Sequence, residues 1–161
     1  MRILVISDTH IPRTANDLPR RIYDEIRTVD MIMHAGDFAE IALYEKLRAL
    51  KPVTAVYGNM DSEALRQVLK GKETVEVGGF RIGLIHGHGA ARDLMDTVRK
   101  EFKGVDAIVY GHSHASENTV KDKILFFNPG SPTDKVFTAI NTYGILDITP
   151  QGIKGTIVRV E

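Results

Sequence analysis

Short apolar runs that each break off into a polar loop recur along this chain, and they restrict its fold more than any other feature. Ile3 to Ile6 runs into Ser7-Asp8-Thr9-His10, Met31 to Met33 into His34-Ala35-Gly36-Asp37, and Val53 to Tyr57 into Gly58-Asn59-Met60-Asp61. Phe80 to Ile85 gives way to His86-Gly87-His88-Gly89, and Ala107 to Tyr110 to Gly111-His112-Ser113-His114. Such runs, with a further one at Ile124 to Phe127, read as buried strands. Helical faces lie between most of them: Leu18, Ile22, Ile26 and Val29; Leu43, Leu47 and Leu50 within a helix from Ala39 to Leu50; and Leu94, Met95, Val98 and Phe102. The early chain is therefore βαβαβα, which implies parallel strands joined by right-handed crossovers.

Two hairpins modify that pattern. Val75 to Val77 and Phe80 to Ile82 flank Gly78-Gly79, and Tyr143 to Ile148 and Ile153 to Val160 flank Pro150-Gln151-Gly152. Antiparallel strands thus join the sheet system. With no repeat and no shift in composition, residues 1–161 are expected to form a single domain of the α/β class.

In open α/β sheets, ligands bind outside the carboxyl ends of the strands, so the five polar loops should converge. All six histidines of the chain lie in these loops. The chain has no cysteine, so thiolate zinc sites, iron–sulfur clusters and cysteine nucleophiles are excluded, and any metal must use His, Asp, Glu or Asn. Imidazoles and carboxylates converging without sulfur suit borderline divalent metals: Mn, Fe, Co, Ni or Zn. Two aspartates, one asparagine and four histidines exceed one site. They fill two neighbouring sites if one carboxylate is shared, and Asp37 is the natural bridge.

Plainer roles compete for several of these residues. Asp8 and Asp37 could each cap a helix, and Asp61 reads mainly as the cap of a helix from Ser62 to Lys70. His34 reads as a core residue or one supporting the ligands. Asn128-Pro129-Gly130-Ser131 reads as a turn bounding the cleft, and Phe137 or Tyr143 could serve either a dimer face or the core. Ser131 sits in no G-x-S-x-G elbow, which argues against serine-hydrolase chemistry. The balance of 21 basic and 21 acidic residues gives no support for a nucleic-acid groove or an anionic membrane surface. MRILVISD has too short an apolar run for a signal peptide or a membrane span, so a cytoplasmic protein is expected.

Asp8-x-His10, Gly36-Asp37, Gly58-Asn59, His86 and Gly111-His112-Ser113-His114, in that order over the N-terminal two thirds, resemble the calcineurin-like metallophosphoesterase superfamily. The length and Asn128 to Ser131 look like its small prokaryotic phosphodiesterase branch, which also contains the retromer scaffold subunit. The resemblance implies a four-layer α/β/β/α sandwich with two mixed sheets. It implies that Asp8, His10, Asp37 and His114 hold one metal ion and Asp37, Asn59, His86 and His112 the other, manganese being the first choice. It further implies hydrolysis of a small phosphoester, a diester above all, by a hydroxide bridging the two ions. Asn59 and His88 are the expected substrate contacts. Many members carry a histidine where this chain has Met60, and a thioether can neither hold phosphate nor protonate a leaving group, so activated or aryl-like leaving groups are expected. The competing expectations are an inactive metal-binding scaffold for other proteins and, less in keeping with a neutral chain, a nuclease.

Overall fold

Alternation along the strands separates three apolar interfaces, and these define the layers. The computed structural model describes residues 1–161. In chain order its elements are β1 (Arg2–Ile6), α1 (Arg20–Ile26), β2 (Met31–His34), α2 (Ile41–Leu50), β3 (Val53–Ala55), α3 (Glu63–Val68), β4 (Lys72–Val77) and β5 (Phe80–Ile85). They continue with α4 (Leu94–Arg99), β6 (Ala107–Val109), β7 (Glu117–Lys121), β8 (Ile124–Asn128), β9 (Thr142–Thr149) and β10 (Gly152–Arg159). Leu4 and Ile6 of β1 pack with Ile22, Leu47 and Leu65 of the first three helices. Their neighbours Ile3 and Val5 face the other way, onto Ile82, Val109 and Phe127 of the second sheet. Ile108 and Phe126 turn outward from that sheet onto Leu94 and Val98 of α4. Sheets covered on both faces need strands that are apolar on both faces, which is why the sequence shows short continuous runs rather than clean alternation.

The result is an α/β/β/α sandwich of two mixed five-stranded sheets, ordered β10-β9-β1-β2-β3 and β4-β5-β6-β8-β7. Strands β1, β2 and β3 are parallel, as are β5, β6 and β8, and the remaining strands add antiparallel edges. Both expected hairpins form, with Val77 opposite Phe80 and Thr149 opposite Gly152. Gly78 and Gly79 both take positive φ, 59° and 85°, as a tight primed turn requires.

Two details differ from the sequence reading and one that it left open is decided. Strand β7 was not foreseen, because Glu117-Asn118-Thr119-Val120-Lys121 is a largely polar edge strand. Its turn to β8 uses Asp122 and Lys123 at φ 51° and 62°, with no glycine to announce it. Helix α2 begins at Ile41 rather than Ala39, since Ala39 has φ 83° and forms a bridge with Ile11. Tyr143 belongs to the core, whereas Phe137 is 79% exposed.

Candidate metal centre

The loops that follow the parallel strands are tied to one another by their backbones. The Asp8 N–H donates to the Gly36 carbonyl at 3.0 Å and His10 N–H to the Asp37 carbonyl at 2.9 Å, joining the β1 and β2 loops. Across the sandwich, the His112 N–H donates to the Asp8 carboxylate at 3.0 Å, and within the second sheet the Gly111 N–H donates to the His86 carbonyl at 3.0 Å. Such close approach requires glycine. A Cβ at Gly58 would strike the Asp37 carboxylate, and one at Gly111 would strike the Ser7 hydroxyl.

Backbone conformation sets this region apart from the rest of the fold. Asp8, His10, Asp37, His112 and His114 all have positive φ, between 45° and 70°. A left-handed L-residue costs roughly 1 kcal/mol, least for Asp, Asn and His. Five such residues converging on one point is strain of the kind found at functional sites.

The side chains of Asp8, His10, Asp37, Asn59, His86, His112 and His114 form one contiguous cluster. His86 Nε2 lies 3.2 Å from Asp37 Oδ2, 3.8 Å from Asp8 Oδ1 and 3.1 Å from Asn59 Oδ1. His114 Nε2 lies 3.5 Å from Asp8 Oδ1 and 3.3 Å from His10 Nε2, which in turn is 3.5 Å from Asp37 Oδ2. The His112 ring meets the His86 ring edge to face at 5.4 Å. Two groups bring their donor atoms within 4.8 Å of one another: Asp8, His10 and His114, and Asp8, Asp37 and His86. Asp8 is common to both groups, while Asp37 also touches a histidine of each, so both carboxylates stand between the groups.

Five of the seven, Asp8, Asp37, His86, His112 and His114, are aimed by a second contact, the usual arrangement in metal sites. Asp8 spends Oδ2 on the Ser7 hydroxyl at 2.7 Å, and Asp37 spends Oδ1 on the Met60 N–H at 2.8 Å, which leaves the other oxygen of each facing the imidazoles. His86 Nδ1–H donates to the Ala35 carbonyl at 2.8 Å and His114 Nδ1–H to Asp134 at 2.6 Å, turning both Nε2 lone pairs inward. His112 Nε2–H donates to the Gly89 carbonyl at 3.1 Å, leaving Nδ1 as its free donor. The donor set, with Asp8, His10, Asp37 and His86 buried and five of its members in left-handed backbone, fits borderline divalent cations.

The electrostatics follow from this crowding. Burial is the largest influence on Asp8 and lifts its pKa to about 6, against the opposing charges of His86 and His114. Burial also works against the charge on His86, but the Asp37 hydrogen bond and the Asp8 charge outweigh it and raise that pKa to about 9. His10 and His112 are pushed down chiefly by burial, which favours the neutral form that a metal needs.

Other residues fall into place around the cluster. His34 is fully buried and held neutral by burial, stacked on Phe38, accepting from the Gly36 N–H at Nδ1 and bonded to Thr9 at Nε2. Asp8 and Asp37 cap no helix: α1 starts at Arg20 and α2 is preceded by Glu40. Asp61 is not the cap of α3 either, because Ser62 occupies that position. Its carboxylate instead accepts the N–H groups of Asp37, Ala39 and Gly58 at 3.0, 2.8 and 2.7 Å, clamping the β2 loop to the β3 loop. His88 is exposed and does not line the cavity beside the cluster. Asp134 was not singled out in the sequence, where Pro132-Thr133-Asp134-Lys135 carries no periodicity or motif. Ser131 of the expected turn donates to the Asp8 carbonyl at 2.7 Å, so that turn does bound the cleft.

Two mixed sheets packed face to face, with aspartates and histidines gathered where their loops meet, define the class of metal-dependent phosphoesterases. The chain belongs to the calcineurin-like phosphoesterase superfamily, whose domain matches residues 1–151. A probable metallophosphoesterase of Methanothermobacter thermautotrophicus is 37% identical over 137 residues, 83% of this chain and 78% of that protein. A phosphodiesterase of Methanocaldococcus jannaschii is 29% identical over 162 residues, 91% and 93% of the two chains. The crystal structure of Vps29 from Entamoeba histolytica, complexed with Zn²⁺, superimposes with a TM-score of 0.75 at 26% identity over 100% of both chains. No helix is long and apolar enough to cross a membrane.

Proposed function

We propose that this chain is a cytoplasmic phosphodiesterase that hydrolyses small phosphodiesters with two divalent cations, manganese first and nickel, iron, cobalt or zinc as alternatives. The observation that carries this reading is the contiguous cluster of seven donors, five of them aimed by a second contact. One cation belongs with Asp8, His10, Asp37 and His114, the other with Asp37, Asn59, His86 and His112. When bound, such ions lower the pKa of water from 15.7 toward about 7 and offset charge on phosphoryl oxygens.

The chain's own residues account for the rest. Asp134, the Ala35 carbonyl and the Gly89 carbonyl each hold a ring proton away from the centre and fix which imidazole nitrogen faces it. Ser7 and the Met60 N–H orient the two carboxylates. Met60 lines the cavity and is 45% exposed where a proton donor would stand. Without general-acid help, commonly worth ~10²–10⁴ in rate, leaving groups that depart unprotonated are favoured, which directs the chain to activated diesters over alkyl monoesters.

The likeness to Vps29 supports a second reading, a metal-binding scaffold without activity. The intact donor set favours the enzyme, and the neutral chain disfavours a nuclease. Protein reconstituted with manganese should cleave bis(4-nitrophenyl) phosphate, lose that activity on chelation, and lose at least a hundredfold in His86→Ala. No hydrolysis, or a His86→Ala variant as active as the parent, would overturn the enzymatic reading.

A further inference from the structure

The cavity beside the cluster is lined by two chemically different sets of side chains. It measures about 470 Å³, within the range of small-molecule sites. His10, Asp37, His112 and His114 make up one set of lining side chains, and Met60, Val136 and Phe137 the other. Val136 and Phe137 are each 79% exposed, and with Met60 they give this cavity an exposed apolar lining next to the polar cluster. The Phe137 ring meets the His114 ring edge to face at 5.5 Å, so its position is fixed relative to the cluster. Arg13 is the one permanent cation among the lining residues, and it is exposed.

The placement of this apolar set is built in. The Asp134 carboxylate accepts from the Val136 N–H at 2.8 Å and the Phe137 N–H at 3.1 Å, and with the same group accepts from His114 Nδ1–H at 2.6 Å. Asn141 Nδ2–H donates to the Asp134 carbonyl at 2.6 Å and closes the far end of the loop. One buried carboxylate therefore sets both an imidazole of the cluster and the loop that carries Phe137.

We propose that Phe137, with Val136 and Met60, forms a subsite for an aryl substituent of a phosphodiester, while Arg13 faces the phosphoryl charge and Asp134 acts as the positioning residue. This deepens the phosphodiesterase reading and rests on it. An aryl ring stacked or set edge-on against Phe137 gains what an aromatic pair contributes beyond the area it buries, about two- to twelvefold in affinity.

The test uses binding, with two diesters that are stable on the timescale of the measurement. The chain has no tryptophan, so Phe137→Trp introduces a single reporter at the subsite. Diphenyl phosphate should perturb its emission and bind manganese-loaded protein at least fivefold more tightly than dimethyl phosphate. Calorimetry on Phe137→Ala should show that preference lost, with dimethyl phosphate bound as before and manganese content unaltered. Asp134→Asn should weaken diphenyl phosphate binding and, in the metal-free protein, also change the His114 tautomer read from its imidazole ¹⁵N shifts, a tautomer that Phe137→Ala should leave unchanged. Equal affinity for the two diesters, binding of neither, or a preference that survives Phe137→Ala would overturn the subsite. If the subsite binds as stated but the loaded protein cleaves no diester, the hydrolase reading falls instead; cleavage indifferent to Phe137 has the reverse meaning.

Discussion

His86 is wedged between two buried carboxylates, and its protonation is tied to metal binding. With its pKa raised to about 9 in the metal-free protein, it carries a second proton at neutral pH that a cation must displace. A histidine pKa raised above its ordinary 6.5 stabilises the metal-free fold in full below that value, and the contribution fades as pH rises through 9. Asp8, raised to about 6, works in the same direction: its stabilising protonated form is lost as pH rises through 6. The stabilisation conferred by saturating manganese should therefore grow from pH 6 to pH 9, read as a widening gap between the melting temperatures of loaded and metal-free protein. A gap independent of pH would contradict this protonation scheme. Asp61 poses a different residue-scale question. Removing its carboxylate in Asp61→Ala strands three backbone donors near the Asp37 and Asn59 loops, and should cost about 3 kcal/mol or more in urea unfolding of the metal-free protein. In the sequence, the nearby start of a helix made Asp61 look like a cap; only the fold shows that two separate loops converge on it.

At the scale of elements, the space between the sheets is closed by Phe127 of β8. A Cβ at Gly144 of β9 would run into its ring, and one at Gly155 of β10 would approach it to 2.7 Å. Gly144→Ala should thus overpack this interface and cost about 1–3 kcal/mol, and Phe127→Leu in the same chain should return part of that loss. Additive costs in the denaturant midpoints would show that the two positions do not meet. The strands flanking this interface were legible because sheets buried on both faces demand continuous apolar runs. Strand β7 was not, since an edge strand such as Glu117 to Lys121 is selected for polarity and its turn uses ordinary residues in left-handed conformation. The convergence of these seven side chains was legible because each lies in the loop that follows a strand. Asp134 was not, because it reaches His114 from a 13-residue connection between β8 and β9 that has no periodicity to place it.

For the whole molecule, the two sheets act as a frame. Parallel strands β1, β2 and β3 from one sheet and β5 and β6 from the other deliver their loops to one place, and neither sheet alone holds a complete donor set. Asp8, His10, Asp37 and Asn59 come from the first sheet, His86, His112 and His114 from the second, so the centre exists only where the sandwich is assembled. Cation binding should therefore report on the packing of the sheets as well as on chemistry, and manganese should raise the unfolding midpoint of the entire chain in a single transition. The sequence motifs point to this convergence, while the sharing of Asp8 between both donor groups is visible only in three dimensions. Elemental analysis of protein stripped of metal, reloaded with manganese and freed of excess ion tests the centre most directly. Two ions per chain are predicted, falling to one or fewer in His86→Ala; a chain that retains no manganese at all would contradict it.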